Sequence, residues 1–379
     1  MEFFGYKWMI NDVEHEFNVT ENKLDHPRFI DYNKFKLDTT LSSRALSSLV
    51  TQLCAVLGAS VEKQRKRLFQ YEKTPNDQLL KRIGQNIPIK PNISKLNPEL
   101  SSKCVDIQKD DGEFNYFIRL KALGISFGHI KIPIKLHKHN RKFKDWKLKT
   151  SFLITPTYIN FRWENEVDAV KDGSIIGCDQ GKLDVVTLSN GFTPPKTNAH
   201  GKSLDSIMTA LSKCKKGSDR FKRKQDERKN FINWSINQIP LCGIKKINLE
   251  SIWNIGYKNR RSRLMSHWTN TLIRDKLQSR CEELGVQVVL QSCAYRSQRC
   301  SSCGLVRKSQ RKGKLYSCEC GFKSDSDMNA ALNHEVEIPD IPWELRREQR
   351  NIKGFYWMDS GFFDLDRVEF RVPLTKNQG

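Results

Sequence analysis

SIIGCDQGKLDVVTLSNG, residues 174–191, reads as two strands joined by a Gly-Lys turn, the start of a hairpin. The apolar run Ile175, Ile176, Cys178 should bury the first strand, and Asp179 closes it. A carboxylate at the end of a buried strand is ordinarily a cap or a solvated strand end. Its neighbours in sequence decide whether it is more than that.

Downstream, SLDSIMTALSKCKKGSDRFKRKQDERKNFINWSINQIP (203–240) reads as helical. IKKINLESIW (244–253) is a buried strand that ends at a second acid, Glu250. SHWTNTLIRDKLQSRCEELG (266–285) is an amphipathic helix stopped by Gly285, and VQVVLQ (286–291) is a further strand. Strands alternating with helices predict a mixed α/β domain.

Beyond it, Cys300-x2-Cys303 and Cys318-x-Cys320 approximate two metal knuckles, with Gly304 and Gly321 relieving the turns. The second pair is one residue shorter than the usual C-x-x-C. The other seven of the 11 cysteines stand singly and read as reduced thiols. Four clustered thiols predict a short zinc ribbon. Asp325 and Asp327 follow at once, and Asp327 lies just before the helix formers MNAALN. Taken as a set, Asp179, Glu250 and Asp327 suit hard divalent cations, which want oxygen ligands. Two such ions about 4 Å apart can clamp the attacking water and the leaving oxygen of a phosphodiester.

Upstream, residues 1–37 carry short aromatic and apolar runs that read as strands. Residues 39–72 change to helical spacing, and a proline-bearing connector follows. From about 102 strands return. In IKIPIKL, Ile130, Ile132 and Ile134 face one way, with Lys131 and Lys135 on the other side.

Lys and Arg total 65 against 43 Asp and Glu, a net charge of +22. Such an excess predicts a polyanionic partner, because each neutralised phosphate releases counterions. Residues 213–229 concentrate it in Lys213, Lys215, Lys216, Arg220, Lys222, Arg223, Lys224, Arg228 and Lys229. No apolar run reaches the roughly 18 residues of a membrane span, and no signal pattern opens the chain, so an intracellular, cytoplasmic protein is expected. No phosphate-binding G-x-x-x-x-G-K-[ST] loop is present, which argues against an ATP motor.

GCDQGKLDVVTLSNG, INLESIW, YRSQRCSSCG and DSDMNAALN occur in the order and spacing of the TnpB family. These compact RNA-guided nucleases of transposons are related to the type V CRISPR effectors. The resemblance is carried by residues 170–335, and more weakly by GHIKIPIKLH at 128–137. It implies an α/β and β multidomain chain. An oligonucleotide-binding-like β-barrel would occupy 1–38 and 96–165, with a helical recognition insertion at 39–95. A RuvC-like, RNase H-related nuclease domain would occupy 166–292 and 323–335, with the zinc ribbon at 293–322. Residues 336–379 match nothing in the family and could pack on the nuclease domain, hold RNA or bind a partner.

The resemblance makes Asp179, Glu250 and Asp327 the catalytic acids, with Asp325 the less favoured of its pair. It implies two Mg²⁺ or Mn²⁺ ions, a structural Zn²⁺ on Cys300, Cys303, Cys318 and Cys320, a guide RNA and target double-stranded DNA. The protein would act at the nucleoid of a bacterium or archaeon, or be phage-encoded, as a monomer or dimer on its RNA. The basic residues of 213–229, with Lys131 and Lys135, would face nucleic acid. Alternatives are a guided DNA-binding repressor that does not cut, and an unguided structure-specific nuclease.

Overall fold

The computed structural model describes residues 6–10, 13–17, 19–20, 23–24, 40–85, 97–100, 102–110, 112–121, 124, 130–155, 157–181, 184–252, 269–341, 354–365 and 368–371. Expectations for the 86–96 connector, for Lys182 of the hairpin turn and for 253–268 lie outside the described residues. The chain divides into two compact units, Met1–Glu166 and Val167–Gly379. No helix among the described residues is long and apolar enough to cross a membrane.

The first unit opens with two antiparallel pairs, Tyr6–Ile10 (β1) with Val13–Phe17 (β2), and Val19–Thr20 (β3) with Lys23–Leu24 (β4). Helix α1, Ser43–Lys73, begins where the Ser42 side chain accepts the Ala45 N–H at 3.2 Å, satisfying one orphan donor of the first turn. A shorter helix, Asp77–Gln85 (α2), follows. Eight strands come next: Glu99–Leu100 (β5), Val105–Lys109 (β6), Tyr116–Leu120 (β7), Ile130–Ile134 (β8), Lys147–Leu148 (β9), Phe152–Ile154 (β10), Ile159–Asn160 (β11) and Trp163–Glu164 (β12). They pair as β11-β10-β5, β6-β7-β8 and β12-β9. Closure into one barrel is not among these pairings.

Cys104, Val105, Ile118, Leu120 and Phe152 form the core of this unit. Ile132 and Ile134 pack against it, whereas Ile130 at the strand start is exposed. Lys131, on the opposite face, stands over the Phe117 ring at 4.2 Å, and Lys135 pairs with Glu113 at 3.6 Å.

The second unit is built on a sheet of order β14-β13-β15-β16. Ser174–Asp179 (β13) pairs antiparallel with Thr187–Leu188 (β14), with Cys178 opposite Leu188 and Asp179 opposite Thr187. Ile244–Ser251 (β15) lies parallel to β13, and Gln287–Ser292 (β16) parallel to β15. Antiparallel neighbours can be joined by a tight turn, but parallel ones need a crossover, which here is helical.

The helical stretch after the hairpin is two helices rather than one, Leu204–Ser212 (α3) and Asp219–Asn237 (α4). The break has a local cause. Gly217 takes φ +86°, and Ser218 then caps α4 by accepting the Phe221 N–H at 3.1 Å. Lys213, Lys215 and Lys216 therefore sit at the end of α3 and in the connecting turn. Asn270–Glu282 (α5) lies between β15 and β16 and stops before Gly285 at φ +72°. Ile232, Ile236, Ile247, Leu249, Ile273 and Leu277 are fully buried between helices and sheet.

Helix α6, Ser326–Glu335, packs across β13. Gly177 permits this close approach. A Cβ there would stand 1.9 Å from the Ala331 carbonyl oxygen and 2.3 Å from the Glu335 nitrogen.

Between β16 and α6 lies the cysteine-bearing insertion. It holds Leu305–Val306 (β17), Arg311–Lys312 (β18), Leu315–Ser317 (β19) and Lys323–Asp325 (β20), the last three forming one sheet. The aromatic tail adds Phe355–Met358 (β21), Gly361–Asp364 (β22) and Glu369–Arg371 (β23), paired in the order β17-β21-β22-β23. Trp357 of β21 is fully buried: its ring N–H donates to the Pro339 carbonyl at 3.0 Å, and the Arg296 guanidinium lies 5.3 Å from the ring centroid. Of the three roles open to residues 336–379, packing on this unit is the one these contacts display.

Candidate active site

Parallel pairing of β13 and β15 sets Cys178 opposite Leu249, so the residues that follow, Asp179 and Glu250, leave the sheet at the same edge. One carboxylate oxygen of each lies within 4.8 Å of the other's. Gln180 ties the two strand ends together. Its backbone N–H donates to Glu250 Oε2 at 3.4 Å, and its side-chain amide donates to the Glu250 carbonyl at 2.9 Å.

Asp327 arrives from the first turn of α6. Asp325 is the N-cap of that helix, its carboxylate accepting the backbone N–H groups of Asp327 at 2.9 Å and Met328 at 3.3 Å. The choice between the two acids thus has a structural reason. Asp325 is occupied by the helix end, whereas Asp327, 8% exposed, is paired with Lys314 and Arg311. Its charge bears on Asp179 and Glu250, but among the described residues the ligand atoms gathered here within 4.8 Å are those of Asp179, Glu250 and His334, without Asp327.

Burial, then the charges of Glu250 and Asp327, push the Asp179 carboxyl well above the ordinary carboxylate range. Burial likewise pushes Glu250 up to about 7, against the pull of the Gln180 N–H and the Arg311 charge. Like charges crowded in a desolvated pocket retain protons, or else require a cation.

Some positive charge comes from the cysteine-bearing insertion. Lys314, at the turn between β18 and β19, donates to Asp327 Oδ2 and, at 3.2 Å, to Asp184 Oδ2. Arg311 stands 3.7 Å from Asp327 Oδ1. Burial opposes the Lys314 charge, but Asp327 and Asp184 outweigh it and hold the ammonium's pKa above its ordinary value. Asp184 is itself buried, with Lys196 3.6 Å away. Sequence reasoning passed over Lys314 and Asp184. A second acid five residues after Asp179 was the available signal for Asp184; Lys314 offered none, because its reach depends on how the hairpin folds back.

His334 was also missed. It follows Asp327 by seven residues, two helical turns, and so lies on the same face of α6. The imidazole is 1% exposed, and one ring nitrogen lies within 4.8 Å of carboxylate oxygens from Asp179 and Glu250. Burial, then the Arg296 charge, push its pKa down to about 3, so the ring is neutral. Its Nδ1 lies 3.2 Å from the side-chain oxygen of Gln291, the residue opposite Glu250 on β16.

The four cysteine sulphurs gather in a second cluster, all within 4.8 Å of one another. Cys300 Sγ lies 3.7 Å from Cys320 Sγ, and Cys303 Sγ lies 3.6 Å from Cys318 Sγ. A tetrahedron of ~2.3 Å metal–sulphur bonds has edges of about 3.8 Å, so the shortened C-x-C turn still reaches the geometry of a metal site. Gln310 donates to Cys318 Sγ at 3.2 Å and accepts from the Tyr316 hydroxyl at 2.8 Å, an outer shell of the kind that orients ligands. The Phe322 backbone N–H lowers the Cys320 thiol to about 7.

Two asparagines of α6 clasp this insertion to the acidic centre. Asn333 donates to the carbonyls of Arg296 at 3.1 Å and Arg299 at 2.8 Å, and accepts from the Arg299 guanidinium at 2.5 Å. Asn329 donates to the Arg299 carbonyl and accepts the Ser301 N–H. Both are fully buried, as is Arg296, whose guanidinium donates to the Asn333 carbonyl. The helix that bears Asp327 is therefore joined to the cysteine knuckle by satisfied, water-excluded polar contacts.

The basic residues of 213–229 divide in two. Lys213, Lys215, Lys216, Arg220, Lys222, Arg223 and Lys229 are exposed. Lys224 pairs with Glu227 at 2.5 Å, and Arg228 is half-buried.

Residues 272–334 match the family described as Cas12f1-like, TNB domain. That segment contains most of α5, β16, the cysteine cluster and most of α6. A CRISPR-associated endodeoxyribonuclease Cas12f1 of Sulfoacidibacillus thermotolerans is 35% identical over 102 residues, 26% of this chain and 23% of the relative. A protein of the same name from Syntrophomonas palmitatica is 29% identical over 132 residues, 34% of this chain and 25% of the relative. The matches thus span about a quarter of the length of these curated relatives. A solved Cas12f1–sgRNA–target DNA complex overlaps 70% of this chain and 69% of its own, at 11% identity and a TM-score of 0.48. Over its matched segment, this chain is similar to the Cas12f1-like proteins.

Proposed function

We propose that the chain is a metal-dependent DNA endonuclease of RuvC type, guided by a bound RNA. The observation that supports this reading is the pair Asp179 and Glu250 within 4.8 Å of one another at the ends of parallel strands, with Asp327 of α6 near enough for its charge to bear on both. A net charge of +22 and the name borne by the Cas12f1 relatives support a nucleic-acid substrate.

Asp179, Glu250 and Asp327 would hold the divalent ions, which supply Lewis-acid stabilisation of a phosphodiester and an activated water. The raised proton affinities of Asp179 and Glu250 describe donors that exchange protons for metal. Lys314 fixes Asp327 and adds a cation at the rim, where a scissile phosphate would carry negative charge. Cys300, Cys303, Cys318 and Cys320 would hold a structural zinc that keeps the Lys314 hairpin folded. The exposed lysines and arginines of 213–229, with Lys131 and Lys135, are offered as backbone contacts. Sequence choice would fall to guide–target pairing rather than to side chains.

The test is to express the protein with its native locus, sequence the RNA that co-purifies, and challenge a matching plasmid with Mg²⁺ present. One discrete RNA and cleavage that vanishes in Asp179→Ala support the reading. Undiminished cleavage in Asp179→Ala refutes the active site, and the absence of a discrete RNA refutes the guide.

A further inference from the structure

His334 sits inside the acidic centre, yet the three carboxylates alone suffice for the chemistry proposed above. Its surroundings would suit an apolar residue. Ala330 and Ala331 of the same helix are buried against the sheet, and a leucine would fill such a space without the cost of desolvating an imidazole. Instead a polar ring is held beside the buried Asp179 and half-buried Glu250 carboxylates, and three observations bear on its use.

The first is distance. One His334 ring nitrogen, one Asp179 oxygen and one Glu250 oxygen lie within 4.8 Å of one another. Ligands at ~2.1 Å from a common ion are about 3.0 Å apart when adjacent and about 4.2 Å when opposite. Three atoms within 4.8 Å of one another can close on one ion by side-chain torsions, adjacent pairs drawing in by up to about 1.8 Å.

The second is orientation. A ligating histidine characteristically donates its other ring N–H to a carbonyl or carboxylate, which fixes the tautomer. His334 Nδ1 meets the Gln291 side-chain oxygen at 3.2 Å, an arrangement that leaves the lone pair on Nε2. Gln291 is held in register beside Glu250, so one strand pair carries both a carboxylate donor and the orienting amide.

The third is rigidity. The α6 backbone at His334 is pressed on β13, where a Cβ on Gly177 would lie 2.8 Å from the His334 carbonyl carbon. The ring's attachment point is thereby fixed relative to the strand that ends in Asp179.

We infer that His334 is a nitrogen ligand to a divalent cation held between Asp179 and Glu250, giving a mixed oxygen–nitrogen site that selects Mn²⁺ over Mg²⁺. Mg²⁺ demands near-ideal oxygen shells and dehydrates reluctantly, whereas Mn²⁺, a softer transition-metal ion, exchanges its waters more readily and accepts an imidazole beside carboxylates. The inference rests on the metal-centre reading above and adds to it a donor and a selectivity.

The test uses the purified full chain and Mn²⁺ alone, with no DNA, so that cleavage is not the readout. Pulsed electron paramagnetic resonance of bound Mn²⁺ should show coupling to a directly coordinated ¹⁴N. The coupling should vanish in His334→Leu, with Mn²⁺ affinity falling at least ~10-fold and Mg²⁺ affinity changing much less. Gln291→Leu should also weaken Mn²⁺ binding by about 10-fold, the scale set by lost outer-shell partners. Mn²⁺ bound in an Asp179-dependent manner without nitrogen coupling would overturn the His334 assignment and leave the nuclease reading standing. Mn²⁺ binding that is absent, or equal in Asp179→Ala, would overturn both. The wild-type spectrum decides the case even if His334→Leu fails to fold.

Discussion

Replacing Glu250 by glutamine should make the metal-free protein more stable while destroying its metal site. Burial raises the Glu250 carboxyl from its ordinary value of 4.5 to about 7. A raised carboxylate favours the folded state in its protonated form. That advantage is complete below about pH 4.5 and drains away as pH rises through about 7. At ~1.4 kcal/mol for each pH unit of the gap, folding at pH 8 has lost about 3 kcal/mol relative to a neutral side chain of the same shape. Glutamine is that side chain, and it also removes one of the charges that push Asp179 upward.

Differential scanning in chelator should therefore find Glu250→Gln and wild type alike at pH 4.5. At pH 8 the variant should melt roughly 6–12 °C higher, if a domain of this size shifts roughly 2–4 °C per kcal/mol. Adding Mn²⁺ or Mg²⁺ should raise the wild-type midpoint and leave the variant's almost unmoved, since only a bound ion repays the crowding of carboxylates. A variant no more stable than wild type at pH 8 in chelator would refute the claim that Glu250 is desolvated beside like charges.

Gly177→Ala should yield insoluble protein, because the new methyl would stand 1.9 Å from the Ala331 carbonyl oxygen with backbone on both sides; soluble expression at wild-type yield would contradict the packing of α6 on β13. Asn333→Leu should cost on the order of 2 kcal/mol by removing the partner of Arg299 Nη1 and of the Arg296 carbonyl, read as faster metal release from the cysteine cluster to a chelator. Unchanged release would mean that the clasp does not support the knuckle. Cys300→Ala should lower the bound zinc measured by elemental analysis, since structural metal binding is folding free energy for so small a unit; equal zinc in variant and wild type would exclude Cys300 as a ligand.

Elements governed by local chemistry were legible in the sequence. The strand ending at Asp179, the strand bearing Glu250, the helix stop at Gly285 and the thiol pairs each follow from period, cap or turn within a few residues. The break between α3 and α4 was legible too, in Gly217 followed by the capping Ser218, but the run of basic residues on either side obscured it. Asp325 and Asp327 could not be separated by composition. The family resemblance alone favoured Asp327 in the sequence, and in the structure it is Asp325 whose carboxylate is occupied by the helix N-terminus.

The sequence by itself determined which residues end strands, which thiols sit in pairs and how strongly the chain is biased toward an anionic partner. Those properties depend on torsional preference, hydrophobic period and charge, all of them short-range or additive. The tertiary structure alone decided that β13 lies parallel to β15, and hence that Asp179 meets Glu250. It alone brought Lys314 from the cysteine-bearing hairpin to Asp327, and His334 to both strand acids. It also turned an unassigned tail into strands paired with that insertion. Each of these pairings is between residues distant in the chain. Such contacts are chosen by the burial of whole faces against one another, which no window of sequence contains.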